Sequence, residues 1–128
     1  MVSLFFILFI GLELKHYVAD YFLQPGWMLA GKGDLSQMGG YVHAAVHAAM
    51  SAIVLFMAQT PLWLLLLLVA AEWVVHFGLD FAKIHYSRGV HVDTDPSRFW
   101  GLHGFDQLTH QLTYGAMIFA VFAARGLV

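Results

Sequence analysis

The sequence predicts an all-α protein, an up-and-down bundle of four transmembrane helices forming a single domain. Two observations carry this. First, 60% of the 128 residues are hydrophobic and only 11% are charged, with a mean hydropathy of +0.71. A soluble domain carries about 25% charged residues, so lipid rather than water must be the solvent for most of this surface. Second, apolar segments of about 20 residues, the length that crosses a bilayer core, recur four times between turn signals.

The first segment is expected over 2–24 and ends at the Pro25-Gly26 turn, because proline cannot continue a helix. Its opening, MVSLFFILFIG, lacks the basic region and small-residue cleavage site of a signal peptide. It runs on into Glu13, Lys15 and His16 and reads as a retained helix. The second segment spans 38–59, and a tight Thr60-Pro61 connection leads to the third at 62–84, which begins LWLLLLLVAA. The fourth spans 102–125. The two longer connections, 25–37 and 85–101, then lie on one side of the membrane. Lys32, Lys83, Arg88 and Arg98 are on that side, against Arg125 and the amino terminus on the other. The positive-inside bias therefore predicts that both long loops are cytoplasmic, with Trp27, Trp100 and Trp63 in the interfacial belts.

Composition also excludes several chemistries. A net charge of -2 gives no reason to expect a nucleic-acid partner. With no cysteine, disulfides, iron–sulfur clusters and thiolate zinc sites are all excluded, so any metal must be held by nitrogen and oxygen.

The polar residues inside the apolar segments recur at one spacing. His16 and Asp20, His43 and His47, His76 and Asp80, and Asp106 and His110 are each separated by i, i+4, with Glu72 one turn before His76. That spacing places both side chains on one helix face, a turn apart, as when a helix offers two ligands to one metal ion. The pairs fall late in the first helix, early in the second, late in the third and early in the fourth. Alternating helix direction brings all four to one level, toward the long loops. A lone intramembrane histidine is usually a hydrogen-bonded packing residue. Polar pairs between membrane helices stabilise by only about 0.6 kcal/mol each, so eight at one depth make a poor device for stability.

Five histidines (His16, His43, His47, His76, His110) and three aspartates (Asp20, Asp80, Asp106) form a mixed nitrogen and oxygen set. Such a set suits a divalent transition metal (zinc, iron or manganese) and argues against calcium. Eight donors would serve two ions about 3.5–4 Å apart better than one. Gln24, Glu72 and Gln107 are placed to orient ligands, and Lys83 to meet an anionic substrate or to snorkel. His85, His91, Asp93, Asp95 and His103 read as solvated loop residues, and Glu13 as a deeper polar group.

Together the runs HYVADYFLQPGWM with Lys32, HAAVH, HFGLDFAK and DQLTH resemble the small bacterial membrane proteins grouped as domain of unknown function 3307. The resemblance covers the chain from about His16 to the last helix. It implies a multi-pass protein of the bacterial inner membrane whose shared polar residues are His16, Asp20, Gln24, His43, His47, His76, Asp80, Lys83, Asp106, Gln107 and His110. A fainter likeness to membrane-bound metal-dependent hydrolases points toward hydrolysis.

The expected function is thus a metal-dependent hydrolase of a lipid-linked or membrane-proximal phosphate or ester. Asp20, Asp80 and Asp106 would act as proton acceptors and Lys83 would meet the substrate. The alternative is a non-enzymatic accessory subunit of a larger membrane complex, or a homo-oligomer, using the cluster for structural metal or a cofactor. A conduit is disfavoured because the half toward the termini is almost purely apolar.

Overall fold

The computed structural model describes residues 1–128, which form five helices and no strand: α1 (Val2–Phe22), α2 (Gly26–Gly31), α3 (Met38–Met57), α4 (Leu62–Tyr86) and α5 (Pro96–Ala124). Backbone groups in a lipid setting find no water, and a helix satisfies them within one segment. The punctuation in the sequence fixes most ends. α1 stops short of Pro25, and α4 begins directly after Pro61. Between α3 and α4, Gln59 takes a left-handed φ of 54°, which turns the chain within a few residues.

α1 and α3 end at Phe22 and Met57, each two residues earlier than the sequence reading, and the loop end differs further. α5 starts at Pro96, ahead of the expected residue 102. Asp95 is its N-cap, accepting a hydrogen bond from the Arg98 backbone at 3.1 Å, and Pro96 supplies a preset first helical position. The apolar signal begins only later in that helix, so hydropathy placed its start too late. The 25–37 connection is not all loop, because it contains α2. α4 continues past residue 84 to Tyr86, which shortens the second connection from both sides.

The four long helices form a closed ring. α3 packs on α1 and α4, α5 packs on α4, and α1 closes against α5. Helix direction alternates around the ring. At one end, the Arg125 guanidinium after α5 donates to the carbonyl oxygens of Ala58 and Gln59 after α3. At the other end, Asp20 near the finish of α1 meets His43 near the start of α3. The end near the termini is filled by an apolar cluster that includes Leu8, Leu12, Leu55, Leu64, Val121 and the ring of Tyr114.

The distribution of polarity is inverted relative to a water-soluble domain. Phe6, Ile10, Phe56, Leu62, Leu66 and Phe119 are exposed, whereas Lys15, His43, His47, Glu72, His76 and Asp106 are buried. Three helices, α1, α3 and α4, are long and apolar enough to cross a membrane. α5 has the length, at 29 residues, but its first half carries Arg98, His103, Asp106, Gln107 and His110.

α2 is seated on the start of α3 through glycines. A Cβ on Gly31 would lie 2.8 Å from the Gly39 Cα, and one on Gly39 would lie 2.8 Å from the carbonyl oxygens of Trp27 and Met28. This contact of backbone on backbone carries Lys32, the residue that follows α2, inward over the end of α4. The α2–α3 link is organised by Asp34, which accepts from the Ser36 hydroxyl at 2.7 Å and its backbone N–H at 2.8 Å. These donors hold the Asp34 carboxyl below the ordinary range.

Candidate metal centre at the loop end of the bundle

Because the i, i+4 spacing puts each pair on one face, four helices deliver their donors to a common centre. Asp20 Oδ1 lies 3.2 Å from His43 Nε2 and 3.1 Å from His47 Nε2. Asp80 Oδ2 lies 3.5 Å from the Nε2 atoms of both His43 and His76, and Asp80 Oδ1 lies 3.5 Å from His110 Nε2. The imidazoles crowd together, with ring centroids 3.8 Å apart for His47 and His76 and 4.3 Å apart for His76 and His110. Two donor groups result: Asp20, His43, His47 and His76, and His76, Asp80 and His110, each with its donor atoms within 4.8 Å of one another. His76 belongs to both.

Hydrogen bonding accounts for only one contact in this convergence, that of His47 Nε2 with Asp20 Oδ1 at 3.1 Å. Both ring nitrogens of His43 and of His76, together with Asp80 Oδ2 and Asp106 Oδ1, are buried with no aligned hydrogen-bond partner. Buried polar atoms nearly always have one. The spacing instead suits donors arranged around a cation. Nitrogen or oxygen ligands at 2.0–2.1 Å from a tetrahedral ion sit roughly 3.3 Å from one another. The donor separations quoted above, 3.1–3.5 Å, fall around that value.

The remaining expected residues surround this centre. His16 lies outside both groups. Its Nδ1 is 2.8 Å from the Tyr114 hydroxyl, and its Nε2 is 3.2 Å from both Gln107 Oε1 and Asp20 Oδ2. Asp106 Oδ1 is 3.5 Å from His110 Nε2, while its Oδ2 accepts from Lys83 at 2.6 Å and from Gln107 at 3.2 Å. Lys83 is therefore engaged with a carboxylate rather than extended toward the interface. The Gln24 side chain donates to the Asp20 carbonyl oxygen. A cavity of about 190 Å³ opens over the centre and is lined by Asp20, Gln24, Lys32, Asp80, Lys83 and Asp106, with His103 at its rim. His91, Asp93 and Asp95 are exposed, as expected of loop residues.

Three functional contacts escaped the sequence reading. Lys32 is read from sequence as a loop charge and part of a family motif with no site role, yet it is buried and its Nζ is 2.8 Å from Asp80 Oδ2. Tyr114 is not singled out by the sequence, yet its hydroxyl holds His16. Lys15, 4% exposed, pairs with Glu72, 1% exposed, beneath the histidines. Its Nζ also approaches the His47 carbonyl oxygen at 3.4 Å, His47 Nδ1 at 3.5 Å and the Tyr114 ring at 4.4 Å. The signal for Lys15 was present, since an ionisable residue inside an apolar segment requires a partner.

An all-helical membrane protein with a buried histidine–aspartate cluster is the class that these features define. Within it, residues 5–125 match the family model described as "Protein of unknown function (DUF3307)", and the chain belongs to that family. No curated protein and no solved structure matches it.

Proposed function

We propose that this chain is a four-span protein of the bacterial inner membrane whose cluster holds divalent transition metal and hydrolyses a phosphate or ester presented at the membrane surface. The observation that carries the reading is the convergence of Nε2 atoms and aspartate oxygens, in which only His47 and Asp20 form an aligned hydrogen bond while His43, His76 and Asp80 Oδ2 form none. The two donor groups overlap at His76, and we assign Asp20, His43 and His47 to one ion and His76, Asp80 and His110 to the other. Three protein ligands per ion leave an open position, which is the pattern of catalytic rather than structural sites. The set of imidazole and carboxylate suits zinc, iron or manganese.

A divalent ion there would supply Lewis acidity and acidify a water molecule. The chain's own groups do the rest. Asp106, beside His110, accepts a proton; Lys83 at the cavity wall meets an anionic head group; Gln107 fixes the Asp106 carboxylate, and Gln24 braces the backbone of Asp20. The α5 helix is the fourth span, its polar half facing the cluster and its apolar half packing Met117, Val121 and Phe122 into the core while Leu112 and Phe119 meet the hydrocarbon. The cavity opens on the side of the long loops, which the lysine and arginine bias assigns to the cytoplasm.

The test is metal analysis of the protein purified in mild detergent, alongside a screen of phosphate and ester lipids. Stoichiometric metal with turnover is the expected result. A folded protein with substoichiometric metal after reconstitution rules the reading out. Bound metal without turnover favours an accessory subunit of a larger membrane complex.

A further inference from the structure

The two triads differ in one respect: Asp20 faces only histidines, whereas Asp80 already faces a cation. Lys32 Nζ stands 2.8 Å from Asp80 Oδ2, the same oxygen that lies 3.5 Å from His43 Nε2 and from His76 Nε2. None of these contacts is an aligned hydrogen bond. The ammonium thus acts on Asp80 as a point charge at the edge of the second triad, close to where a metal ion would sit. Lys83 behaves differently, making a directed hydrogen bond to Asp106 at 2.6 Å. Lys32 is buried, and the backbone contact of Gly31 with Gly39 fixes its position.

The geometry points to Lys32 as a built-in competitor for the second metal position, a latch that makes loading of the centre stepwise. This rests on the metal reading above. An ion at Asp20, His43 and His47 meets no ammonium on its carboxylate, since Lys15 lies on the far nitrogen of His47 and is paired with Glu72, and it binds first. An ion at His76, Asp80 and His110 must take Asp80 from Lys32, because two cations so close repel strongly in a site screened from water. Once released, the ammonium has one open direction, the cavity it already lines with Lys83. Binding of the second ion and presentation of a second positive charge to an anionic head group are thereby coupled. The empty second position and the masked lysine are one state; the filled position and the exposed lysine are the other.

The experiment is a zinc titration of chelator-stripped protein in detergent, comparing the unaltered chain with Lys32→Met. The unaltered protein should bind one ion tightly and a second more weakly. Lys32→Met should bind both, with the second tightened by about 10-fold, the scale of an ordinary coupling between two sites. Lys32→Gln, which keeps a polar head without the charge, should do the same and covers a failure of the methionine variant to fold. Asp80→Asn should lose only the second ion. Equal affinities and stoichiometry in the unaltered and lysine-substituted proteins would overturn the latch while leaving the metal centre standing. No zinc bound by any of them would overturn the metal reading itself.

Discussion

The two ends of this bundle are held together in opposite ways. Near the termini, Leu8, Leu12, Leu55, Leu64 and Val121 fill the space between helices with apolar atoms, and the cluster holds no charged side chain. At the loop end, the same four helices meet through imidazoles, carboxylates and lysines, several with unsatisfied atoms. Transferring an unpaired polar group from water to an apolar setting costs several kcal/mol, so the loop end cannot be the source of the fold's stability. The apolar end supplies it, and the polar end spends it on an arrangement that folding alone does not require. Between them lies the Lys15–Glu72 pair, the floor of one region and the ceiling of the other.

This contrast can be broken most forcefully at that floor. Glu72→Ala leaves the Lys15 ammonium buried and uncompensated, and should destabilise the protein by about 3–5 kcal/mol in a detergent unfolding assay. Joint replacement of Lys15 by Met and Glu72 by Leu should recover most of the loss. If the single variant were as stable as the double, the pair would not be a desolvated one.

Next in size is a cavity at the apolar end. Leu55→Ala should cost about 3 kcal/mol, within the usual range for a buried leucine. Metal content should stay unchanged if the two regions are energetically separate, and a parallel drop in bound metal would show that they are not.

The smallest effect falls on the atom that joins them. The Tyr114 ring belongs to the apolar cluster while its hydroxyl holds His16 Nδ1 at 2.8 Å. Tyr114→Phe preserves the packing and removes one hydrogen bond, for about 1 kcal/mol. Because His16 Nε2 faces Asp20, the same change should weaken metal binding slightly in the titration described above. Loss of stability with no change in affinity would make the contact purely structural.

How far the sequence revealed this follows from what is periodic. The four i, i+4 pairs could be read because spacing on a helix is local, and their shared depth followed from alternating direction. The apolar half was legible for the same reason. Lys15 and Glu72 were not paired in that reading, since no local rule links positions 57 apart in the chain. Lys32 was missed because its burial depends on α2, whose residues GWMLAG follow a Pro25-Gly26 turn signal and form too short a stretch for periodicity to mark. The start of α5 was recoverable, because Asp95-Pro96 is a helix opening; hydropathy pulled the boundary to the apolar residues further on.

The meeting of Gly31 with Gly39 has a consequence for how such a protein can diversify. The depth of Lys32 is set there by two absent side chains, at a place that touches neither a donor atom nor the cavity. Adding one methyl at either position would lift α2 from α3 and withdraw the lysine from Asp80. A lineage could therefore retune the affinity of its second ion by steric drift alone, leaving every liganding residue in its chain untouched.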